Sequence, residues 1–316
     1  MPPGRTLSPN LFFPDALAAS AATVFQIVAR SSNGYSDARN KLYLLNVDGA
    51  TSARSWHDIE ASEDENEDPL NCDAISAIAF PLTAKYDPKW IRDNALGENA
   101  LCQAECLARR LPLHAGMRIL DLGCGKAASS IFLAREFGVE VWAADGATSP
   151  TENRKRAVAL ECEASVFPLR VDAHSLPFAK DFFDAVVAID SFLYYGTDDR
   201  YLSYLVQFIK PGGFIGVVDI AFTREIRSIE DAPEYLHPQY QKHWSYVHSI
   251  EWWTQHWEKT GMVDVRCAEL LPESNDLLRN YVRDRLPDQD EDSIMRAVPY
   301  SNDGLISLFC LVACKR

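Results

Sequence analysis

The sequence contains few basic residues and no closely paired cysteines. Its 316 residues include 31 Lys and Arg against 45 Asp and Glu, which gives a formal net charge of −14 at pH 7. Because nucleic acids and anionic membranes are bound by clustered Lys and Arg, this balance disfavours both as the main partner. None of the 8 cysteines forms a C-x-x-C pair, so we predict no metal site and a reduced, cytoplasmic protein.

Long hydrophobic runs are also missing. The longest apolar run near the start, residues 16–29, is too short to span a bilayer and is interrupted by polar residues. No basic segment precedes it, which disfavours a secretory signal, although a cleaved transit peptide remains an alternative. We therefore expect no stable membrane insertion, and the sequence leaves formation of a homo-oligomer open.

The first 68 residues differ in composition from the rest of the chain. They are rich in Ser, Ala, Asn and Pro and lead into the acidic run EASEDENEDP at residues 60–69. A run of like charges with few apolar residues stays solvated and does not join a core. We therefore expect residues 1–68 to be a partly flexible N-terminal extension, with a short helix over 14–29 and a strand near 41–47. Residues 69–316 are expected to form the main domain.

From about residue 94 onward, helical and strand patterns alternate. Five short apolar segments are predicted to be strands, namely MRILDLG, VEVWAAD, VFPLRVD, FDAVVAID and FIGVVDI, at 117–123, 139–145, 166–172, 183–190 and 214–220. Segments with helical spacing separate them, and residues 198–213 are predicted to form a helix that ends at Pro-Gly-Gly. Alternation of this kind predicts an α/β fold with a doubly wound parallel sheet.

Acidic residues stand where the first four of these strands end, at Asp121, Asp145, Asp172 and Asp190. Ligands of doubly wound sheets bind beyond the carboxyl ends of the strands, so these four side chains are expected to share a site. The first strand leads into GCGKAA, residues 123–128, which fits the nucleotide-binding pattern G-x-G-x-x-A. Asp145 follows Gly125 by 20 residues, a spacing that suits an acid binding the ribose of either NAD or S-adenosyl-L-methionine (SAM).

Asp121 distinguishes between these two cofactors. A carboxylate beside the glycines would repel a pyrophosphate but would attract an ammonium or a sulfonium group, so it favours SAM. The alternative, an NAD-dependent oxidoreductase, would need a dyad such as Tyr-x-x-x-Lys. The segment YYGTDDRYLSYL that follows the fourth strand contains no such lysine.

Five segments between residues 118 and 220 resemble, in order and spacing, the motifs of class I SAM-dependent methyltransferases. They are RILDLGCG, VWAAD, VDAHSLPF, FDAVVAIDSFLYYG and FIKPGGFIGVVDI. The wider pattern is similar to small-molecule methyltransferases of the cyclopropane-synthase-like group. The resemblance implies a Rossmann-like seven-stranded sheet whose last strand, within 304–316, is antiparallel. It also implies a helical lid at 78–101, a cofactor core at 115–220 and a substrate insertion after strand five at 222–261.

The resemblance also assigns roles around the cofactor. Asp121 would help to hold the ammonium group of SAM, Asp145 would accept the ribose hydroxyls, and Asp172 would bind the adenine amino group. The full set of implied cofactor contacts is Asp121, Gly123, Cys124, Gly125, Asp145, Gly146, Asp172, Ala173, Asp190 and Ser191. Many family members carry a third glycine where this chain has Ala127 or Ala128, and we expect only a small adjustment of the loop there.

Two segments rich in aromatic residues are candidates for the substrate side, the lid and the insertion after strand five. An aromatic wall suits a planar or cationic acceptor. The candidate substrate-binding residues are Tyr86, Trp90, Tyr195, Tyr240, Trp244 and Tyr246, and the candidate catalytic residues are Asp190, Tyr194, His243 and His248. The alternative for this aromatic segment is a packing role, which we expect for Trp253 and Trp257 on the helix predicted over 249–261.

These observations predict an enzyme of small-molecule metabolism that transfers a methyl group from SAM. The transfer would be an in-line displacement onto an N, O or C nucleophile, with a general base needed only if the nucleophile arrives protonated. Two alternatives stay open from the residues alone, an NAD-dependent oxidoreductase and a non-catalytic SAM-binding scaffold.

Overall fold

The computed structural model describes residues 44–45, 51–52, 77–97, 100–284 and 294–316. The chain divides into two units, Met1–Asp68 and Pro69–Arg316. In the first unit, Leu44–Leu45 pairs with Thr51–Ser52 in an antiparallel ladder. The predicted helix at 14–29 and the predicted flexibility of the extension lie outside the described residues. The account below concerns the second unit.

The described part of the second unit contains seven strands in one sheet. They are β1 Arg118–Leu122, β2 Glu140–Asp145, β3 Val166–Arg170, β4 Phe183–Ile189, β5 Ile209–Phe222, β6 Val263–Leu270 and β7 Ile306–Lys315. Their order across the sheet is β3-β2-β1-β4-β5-β7-β6. The first five strands are mutually parallel, and β7 runs antiparallel to both β5 and β6. The predicted doubly wound α/β sheet with an antiparallel last strand is confirmed.

Seven α-helices accompany the sheet in the described part of this unit. They are α1 Pro88–Asn94, α2 Ala100–Ala108, α3 Ala128–Phe137, α4 Pro150–Ala159, α5 Tyr201–Leu205, α6 Ile250–Glu258 and α7 Ser274–Asp284. Local sequence sets several of their ends. Asp87 caps α1 and Ser149 caps α4, each followed by a proline at the first helical position, where the missing N–H costs nothing. None of the described helices is long and apolar enough to cross a membrane.

Strand β5 begins earlier than the sequence predicts. Helix α5 ends at Leu205, a 3₁₀ turn follows at Val206–Phe208, and Ile209 already pairs with Phe183 of β4. The Pro-Gly-Gly segment at 211–213 therefore lies within β5 and does not end a helix. A shift of register next to this pairing accommodates the proline, because a bulge leaves a residue outside the hydrogen-bonded ladder.

Two insertions follow the parallel part of the sheet. The first, between β5 and β6, contains 3₁₀ turns at Ile229–Asp231, Glu234–Gln239 and Trp244–Tyr246, and then α6. Trp253 and Trp257 of α6 are fully buried, and Trp253 stacks on Phe309 of β7. The second insertion, between β6 and β7, contains α7 and a 3₁₀ segment at Ile294–Tyr300. The aromatic residues of α6 therefore pack this helix onto the sheet.

Candidate cofactor and acceptor site

A cavity of about 900 Å³ opens at the carboxyl ends of β1 to β4. Its described lining is drawn from residues 94–97, 100, 122–125, 128–129, 144–147, 170–174, 189–191, 194–195, 281 and 294–295. The carboxyl edge of parallel strands is where ligands of doubly wound sheets bind. The cavity is therefore the candidate functional site of the fold.

Two glycines of the loop after β1 let neighbouring groups approach its backbone closely. Gly123 and Gly125 both have positive φ angles, 80° and 52°. A Cβ on Gly123 would lie 2.5 Å from the side chain of Ser191, and one on Gly125 would lie 2.7 Å from Leu96 Cδ1. Gly123 therefore needs glycine for conformation and for space, whereas at Gly125 the left-handed backbone favours glycine and a Cβ would have to displace the Leu96 side chain. The loop is held between the end of β4 and the segment before α2.

Ala127 adopts the left-handed conformation at the start of α3, with φ 62° and ψ 24°. This is one of the two positions at which a third glycine was anticipated. An L-residue with a Cβ pays roughly 1–2 kcal/mol in this region, a cost that glycine does not carry. The loop keeps the glycine-like backbone and does not rearrange around the alanine.

Asp121 is buried beneath the loop, with 1% of its surface exposed. Ser129 and Ser130 of α3 donate to its Oδ2 atom at 2.7 and 2.6 Å. Its Oδ1 atom is buried and has no hydrogen-bond partner in the described part of the chain. Burial raises the pKa of this carboxyl to about 6, the two serine hydroxyls lower it, and the charge of Asp145 raises it further. A buried acceptor without a donor fits the ammonium group of an amino-acid-bearing cofactor.

Asp145, at the end of β2, ties two loops together. Its Oδ2 atom accepts a hydrogen bond from the amide of Gly125 at 3.0 Å. Its Oδ1 atom accepts from the amides of Ala147 and Thr148 at 2.8 and 2.6 Å. Because each carboxylate oxygen has two lone pairs, acceptor capacity remains for a ligand hydroxyl. The carboxylate is thereby fixed in position at the edge of the cavity.

Residues 172–174, after β3, line the same cavity. Asp172 is exposed, and its Oδ1 atom accepts from the amide of His174 at 2.8 Å. This bond and the neighbouring imidazole of His174 hold the pKa of Asp172 below its usual value. Tyr201 donates from its hydroxyl to the carbonyl of Ala173 at 3.1 Å. The turn is thus fixed from the α5 side, and its carboxylate stays charged and accessible.

Asp190 ends β4 in a left-handed conformation with φ 56°. Its carboxylate lies against the backbone of Gly97, where a Cβ would be 1.4 Å from Oδ2. The next residue, Ser191, donates to the carbonyl of Leu122 at 2.9 Å, and the Tyr195 hydroxyl donates to the same carbonyl at 2.9 Å. Tyr194 is 64% exposed at the rim. Asp190, Ser191, Tyr194 and Tyr195 therefore meet at one end of the cavity.

Asp219, on β5, was not among the sequence-based candidates, yet it supports the turn after Asp190. It is fully buried and accepts hydrogen bonds from the amides of Leu193 at 3.1 Å and Ile220 at 2.8 Å. Burial raises its pKa to about 8, and the charge of Asp190 adds to the rise. Within the apolar segment GVVDI, a single acid resembles an ordinary strand residue, so the sequence offered no signal.

A chain of hydrogen bonds connects α1 to the loop after β1. Arg156 of α4 donates from Nε to the side chain of Asn94, and from Nη1 to that of Asn153, each at 2.9 Å. Asn153 is buried and donates to the carbonyl of Gly125 at 2.8 Å. Lys126 of the loop donates to the carbonyl of Asp93 at 2.9 Å. Helix α1 is therefore attached directly to the glycine loop after β1.

The remaining sequence-based substrate and catalytic candidates lie away from this cavity. Tyr86 is buried against Trp90 and Phe132, and its hydroxyl donates to Glu136 at 3.2 Å.

In the insertion after β5, Tyr240 and Trp244 are buried in the core and Tyr246 is exposed. His243 is half-buried, and His248 pairs with Glu225 at 2.7 Å. Tyr240 and His248 line a separate cavity of about 780 Å³. Burial of large aromatic rings explains the positions of Tyr86, Tyr240 and Trp244, and Trp244 stacks on Phe222 of β5.

The second insertion supplies residues that the sequence did not indicate. Tyr281 of α7 and Ile294 and Met295 of the 3₁₀ segment line the cavity. Tyr281 and Met295 are otherwise buried. They belong to no recognisable motif, and only the antiparallel return of β7 brings their segment over the sheet.

Comparison with known proteins agrees with this geometry. Residues 119–213 match the family model described as a methyltransferase domain. Methyltransferase GfsG of Streptomyces halstedii is 34% identical over 144 residues, covering 45% of this chain and 49% of that protein. The fatty-acid O-methyltransferase of Mycolicibacterium smegmatis is 29% identical over 126 residues, covering 37% of this chain and 44% of that protein. This chain thus spans about half the length of the curated relatives that it matches.

Solved structures share the fold. Geranyl diphosphate methyltransferase in complex with SAM superposes with a TM-score of 0.54 at 20% identity, covering 68% of this chain and 84% of that chain. Phosphoethanolamine N-methyltransferase 2 of Haemonchus contortus superposes with a TM-score of 0.58 at 20% identity, covering 77% of this chain and 60% of that chain. The fold is that of the class I SAM-dependent methyltransferases. Within it, the segment 119–213 is similar to a methyltransferase domain.

Proposed function

We propose that this protein binds SAM in the cavity at the ends of β1 to β4 and transfers its methyl group to a small-molecule acceptor. The observation that carries the proposal is the buried Oδ1 atom of Asp121 beneath the glycine loop, to which no described residue donates a hydrogen bond. A cofactor with a positively charged amino-acid end satisfies this atom, whereas the pyrophosphate of NAD would be repelled by it. The enzyme would act in cytoplasmic small-molecule metabolism.

In this proposal, the three strand ends nearest the loop hold the cofactor. Asp121 faces the ammonium group, Asp145 accepts the ribose hydroxyls, and Asp172 with the amide of Ala173 receives the adenine. Gly123, Cys124 and Gly125 provide the close backbone surface, with Gly146 beside the ribose. SAM, when bound, supplies an electrophilic methyl group on sulfur. The protein's own contribution is to align the acceptor with that methyl group and to exclude water.

Asp190, Ser191, Tyr194 and Tyr195 stand at the acceptor end of the site in this proposal. They follow β4, and β4 lies next to β1 on the side opposite the ribose and adenine positions. The tethered lid, residues 78–101, would cover the cofactor from the solvent side. Residues 1–68 are proposed to be an extension outside the methyltransferase domain of residues 69–316.

Calorimetric titration of the full chain with SAM, S-adenosylhomocysteine (SAH) and NAD⁺ tests the cofactor. We expect the two adenosyl ligands to bind and NAD⁺ not to bind. Binding of NAD⁺ alone would overturn the assignment of Asp121. Methyl-labelled SAM with a panel of phenols, amines and indoles then tests transfer. Tight SAM binding without transfer to any acceptor, including those in a cell extract, would instead support a non-catalytic scaffold.

A further inference from the structure

An irregularity in strand β6 turns Cys267 towards the side of the sheet against which α2 packs. Val265 pairs with Ala313 of β7, whereas Cys267 pairs with Val312, so β6 has one residue more than β7 between these two pairs. Such a bulge changes the face on which the following side chains lie. Cys267 packs against the same core cluster as Cys310 and α2, and Val265 packs against the cluster on the other face. Cys310 is two residues along β7 from the partner of Cys267, so both sulfurs lie on one face.

Arg110, just after α2, brings a cation to this face. Its Nη1 atom donates to the carbonyl of Cys106 at 2.7 Å, and its guanidinium forms an ion pair with Glu269 of β6. Glu269 lies directly opposite Cys310 in the ladder. The guanidinium also donates a hydrogen bond to the sulfur of Cys267. We call Cys267, Cys310, Arg110 and Glu269 the thiol cluster, because the cation and the two sulfurs meet there.

Within the thiol cluster, Cys310 acts as the hydrogen-bond donor and Cys267 as the acceptor. Cys310 is fully buried, whereas Cys267 is half-buried. The hydrogen bond from Cys310 lowers the pKa of Cys267 below its usual value, and Arg110 acts in the same direction against burial and the charge of Glu269. The same hydrogen bond, together with burial, raises the pKa of Cys310. The negative charge of the pair therefore lies on Cys267, the more exposed of the two sulfurs.

Cys314 is a thiol of similar exposure in the same sheet with different surroundings. It lies on β7, and its sulfur donates to the carbonyls of Gly212 and Lys315 at 3.4 and 3.5 Å. A thiol that donates to carbonyl oxygens is favoured in its protonated form. Since the thiolate is the nucleophile, partial exposure alone does not make a cysteine reactive. Cys267 differs because its neighbours donate hydrogen bonds to the sulfur.

We propose that Cys267 is a modification site, a nucleophilic thiolate that a small peroxide oxidises to a sulfenic acid. In this step, a lone pair of the thiolate sulfur forms a bond to one oxygen of hydrogen peroxide. The oxygen–oxygen bond breaks, and the leaving hydroxide takes a proton from solvent to become water. The sulfur loses two electrons and the peroxide gains them. The inference does not rest on the proposed function, because no residue of the thiol cluster belongs to the described lining of the cavity at β1 to β4.

Competition between two cysteines of one chain tests the proposal. The fully reduced full-length chain is treated with hydrogen peroxide at about pH 7 in the presence of excess dimedone, which traps sulfenic acids, and is then digested for mass spectrometry. We expect Cys267 to be labelled at least about fivefold faster than Cys314, because a larger thiolate fraction outweighs the lower intrinsic nucleophilicity of a more acidic thiol. Equal labelling of the two residues, or slower labelling of Cys267, overturns the proposal.

Two substitutions at Cys310 separate hydrogen-bond donation from packing. Cys310→Ala removes the donor, and Cys310→Ser keeps an O–H donor at the same position. We expect labelling of Cys267 to fall about threefold or more in Cys310→Ala and to recover in Cys310→Ser. Cys106→Ala is the matched control, because it removes a buried cysteine of α2 instead. If Cys310→Ser or Cys106→Ala lowers the labelling as much as Cys310→Ala does, packing and not donation sets the reactivity, and the proposal fails.

A second pair of substitutions tests the cation. Arg110→Gln removes the guanidinium next to Cys267, and labelling of that residue should fall about threefold or more. Arg316→Gln removes an equal charge after β7, where Arg316 pairs with Asp264, and should leave the labelling unchanged. Labelling that Arg110→Gln leaves unchanged, or that both variants lower equally, would contradict the part assigned to Arg110 in the thiol cluster.

Discussion

Arg156 donates from Nε to the side-chain oxygen of Asn94 at 2.9 Å and so joins helix α4 to the last residue of α1. The two residues are 62 positions apart in the chain. Through Asn153, the same guanidinium is connected to the carbonyl of Gly125 in the glycine loop. The position of helix α1 and the conformation of the glycine loop are therefore coupled through this side chain, in addition to the bond from Lys126 to the carbonyl of Asp93.

Removal of this guanidinium should weaken the attachment of helix α1 to the glycine loop and so lower cofactor affinity. We expect Arg156→Ala to weaken SAH binding by roughly 1–2 kcal/mol, less than the roughly 1.5–3 kcal/mol typical of a hydrogen bond to a charged group, because Arg156 acts on the loop through Asn153. Calorimetric titration measures the change. Arg154→Ala is the control, because Arg154 is exposed on the same helix and donates to the carbonyl of Glu163 instead. Equal losses in the two variants would show that helix α4, and not the connection to Asn94, is responsible.

Asp145 should contribute directly to cofactor affinity. We expect Asp145→Ala to weaken SAM binding by roughly 1–3 kcal/mol, since hydrogen bonds to a charged acceptor are removed. The variant also removes the acceptor of three loop amides, so its unfolding should be followed in parallel. Asp198→Ala, at an exposed turn residue, serves as the comparison. An unchanged affinity for Asp145→Ala would remove this carboxylate from the site.

Cofactor affinity should depend on pH through Asp121. Its pKa is raised to about 6 in the unliganded protein, and an ammonium group binds to the ionised form. Affinity should therefore be constant above pH 6 and fall below it, by up to about tenfold per pH unit. Asp121→Asn should bind SAM more weakly at pH 7.5 and should flatten the profile. If the variant retains the slope of the unmodified protein, the titrating group lies elsewhere.

Ala127→Gly should stabilise the protein. The left-handed alanine costs roughly 1–2 kcal/mol, and the greater freedom of glycine in the unfolded chain offsets about 0.4–1 kcal/mol of the gain. We expect a net increase of about 0.5–1 kcal/mol in the free energy of unfolding, measured by urea titration. Ala134→Gly, inside the same helix, should instead destabilise the protein by about 1 kcal/mol or more. A loss of stability in Ala127→Gly would contradict the strained conformation.

Asp219 should make stability fall as pH rises. Its pKa is raised to about 8 in the folded state from an ordinary value of 3.8, so the folded state retains a proton that the unfolded state loses. The favourable contribution of this proton is complete below about pH 4 and is lost progressively up to about pH 8. The groups facing it are Asp190 and Tyr195.

The measurement is the free energy of unfolding from pH 5 to pH 8.5, compared between the unmodified chain and Asp219→Asn. The free energy of unfolding should fall less with rising pH in Asp219→Asn than in the unmodified chain. Asp184→Asn is the opposite control, because Lys210 and the amide of Arg118 hold the pKa of Asp184 below its usual value. That substitution should lower the free energy of unfolding by a constant amount from pH 5 to pH 8.5, because the contribution of an acid with a lowered pKa is complete above its ordinary value of 3.8 and is lost only at lower pH. A steeper decline in Asp219→Asn than in the unmodified chain would show that the buried carboxyl is ionised.

The convergence of the strand-end residues on one cavity could be predicted from sequence because these residues lie in short motifs. Strand β1, the two glycines and Asp145 follow each other at a fixed spacing, and the hydrogen bonds of Asp145 to residues 125, 147 and 148 are local to two adjacent strand ends. Asp190 was identified for the same reason. Short motifs are sufficient to predict such residues, because the carboxyl ends of parallel strands meet at one edge of the sheet.

The remaining residues of the cavity wall could not be predicted, because their order in the chain does not indicate which of them reach the cavity. Trp244 and Tyr240 are as compatible with a core as with a pocket, and large aromatic rings gain most from burial. Tyr281 and Met295 reach the cavity only through the return of β7. The left-handed conformation of Ala127 could not be predicted from the sequence either, since an alanine at a helix start predicts ordinary helical geometry.

The position of β7 in the sheet determines which parts of the fold can form before the end of the chain is available. Among the described strands, β7 is the last in the chain, yet it lies between β5 and β6 and is the strand to which β6 is hydrogen-bonded. Strands β1 to β5 can pair before β6 and β7 are synthesised, because all of their partners within the parallel part of the sheet precede β6 in the chain. The segment with Tyr281 and Met295 is anchored at both ends by β6 and β7, so it can close over the sheet only after β7 has paired. During synthesis, the glycine loop after β1 would therefore form before the part of the cavity wall that Tyr281 and Met295 provide.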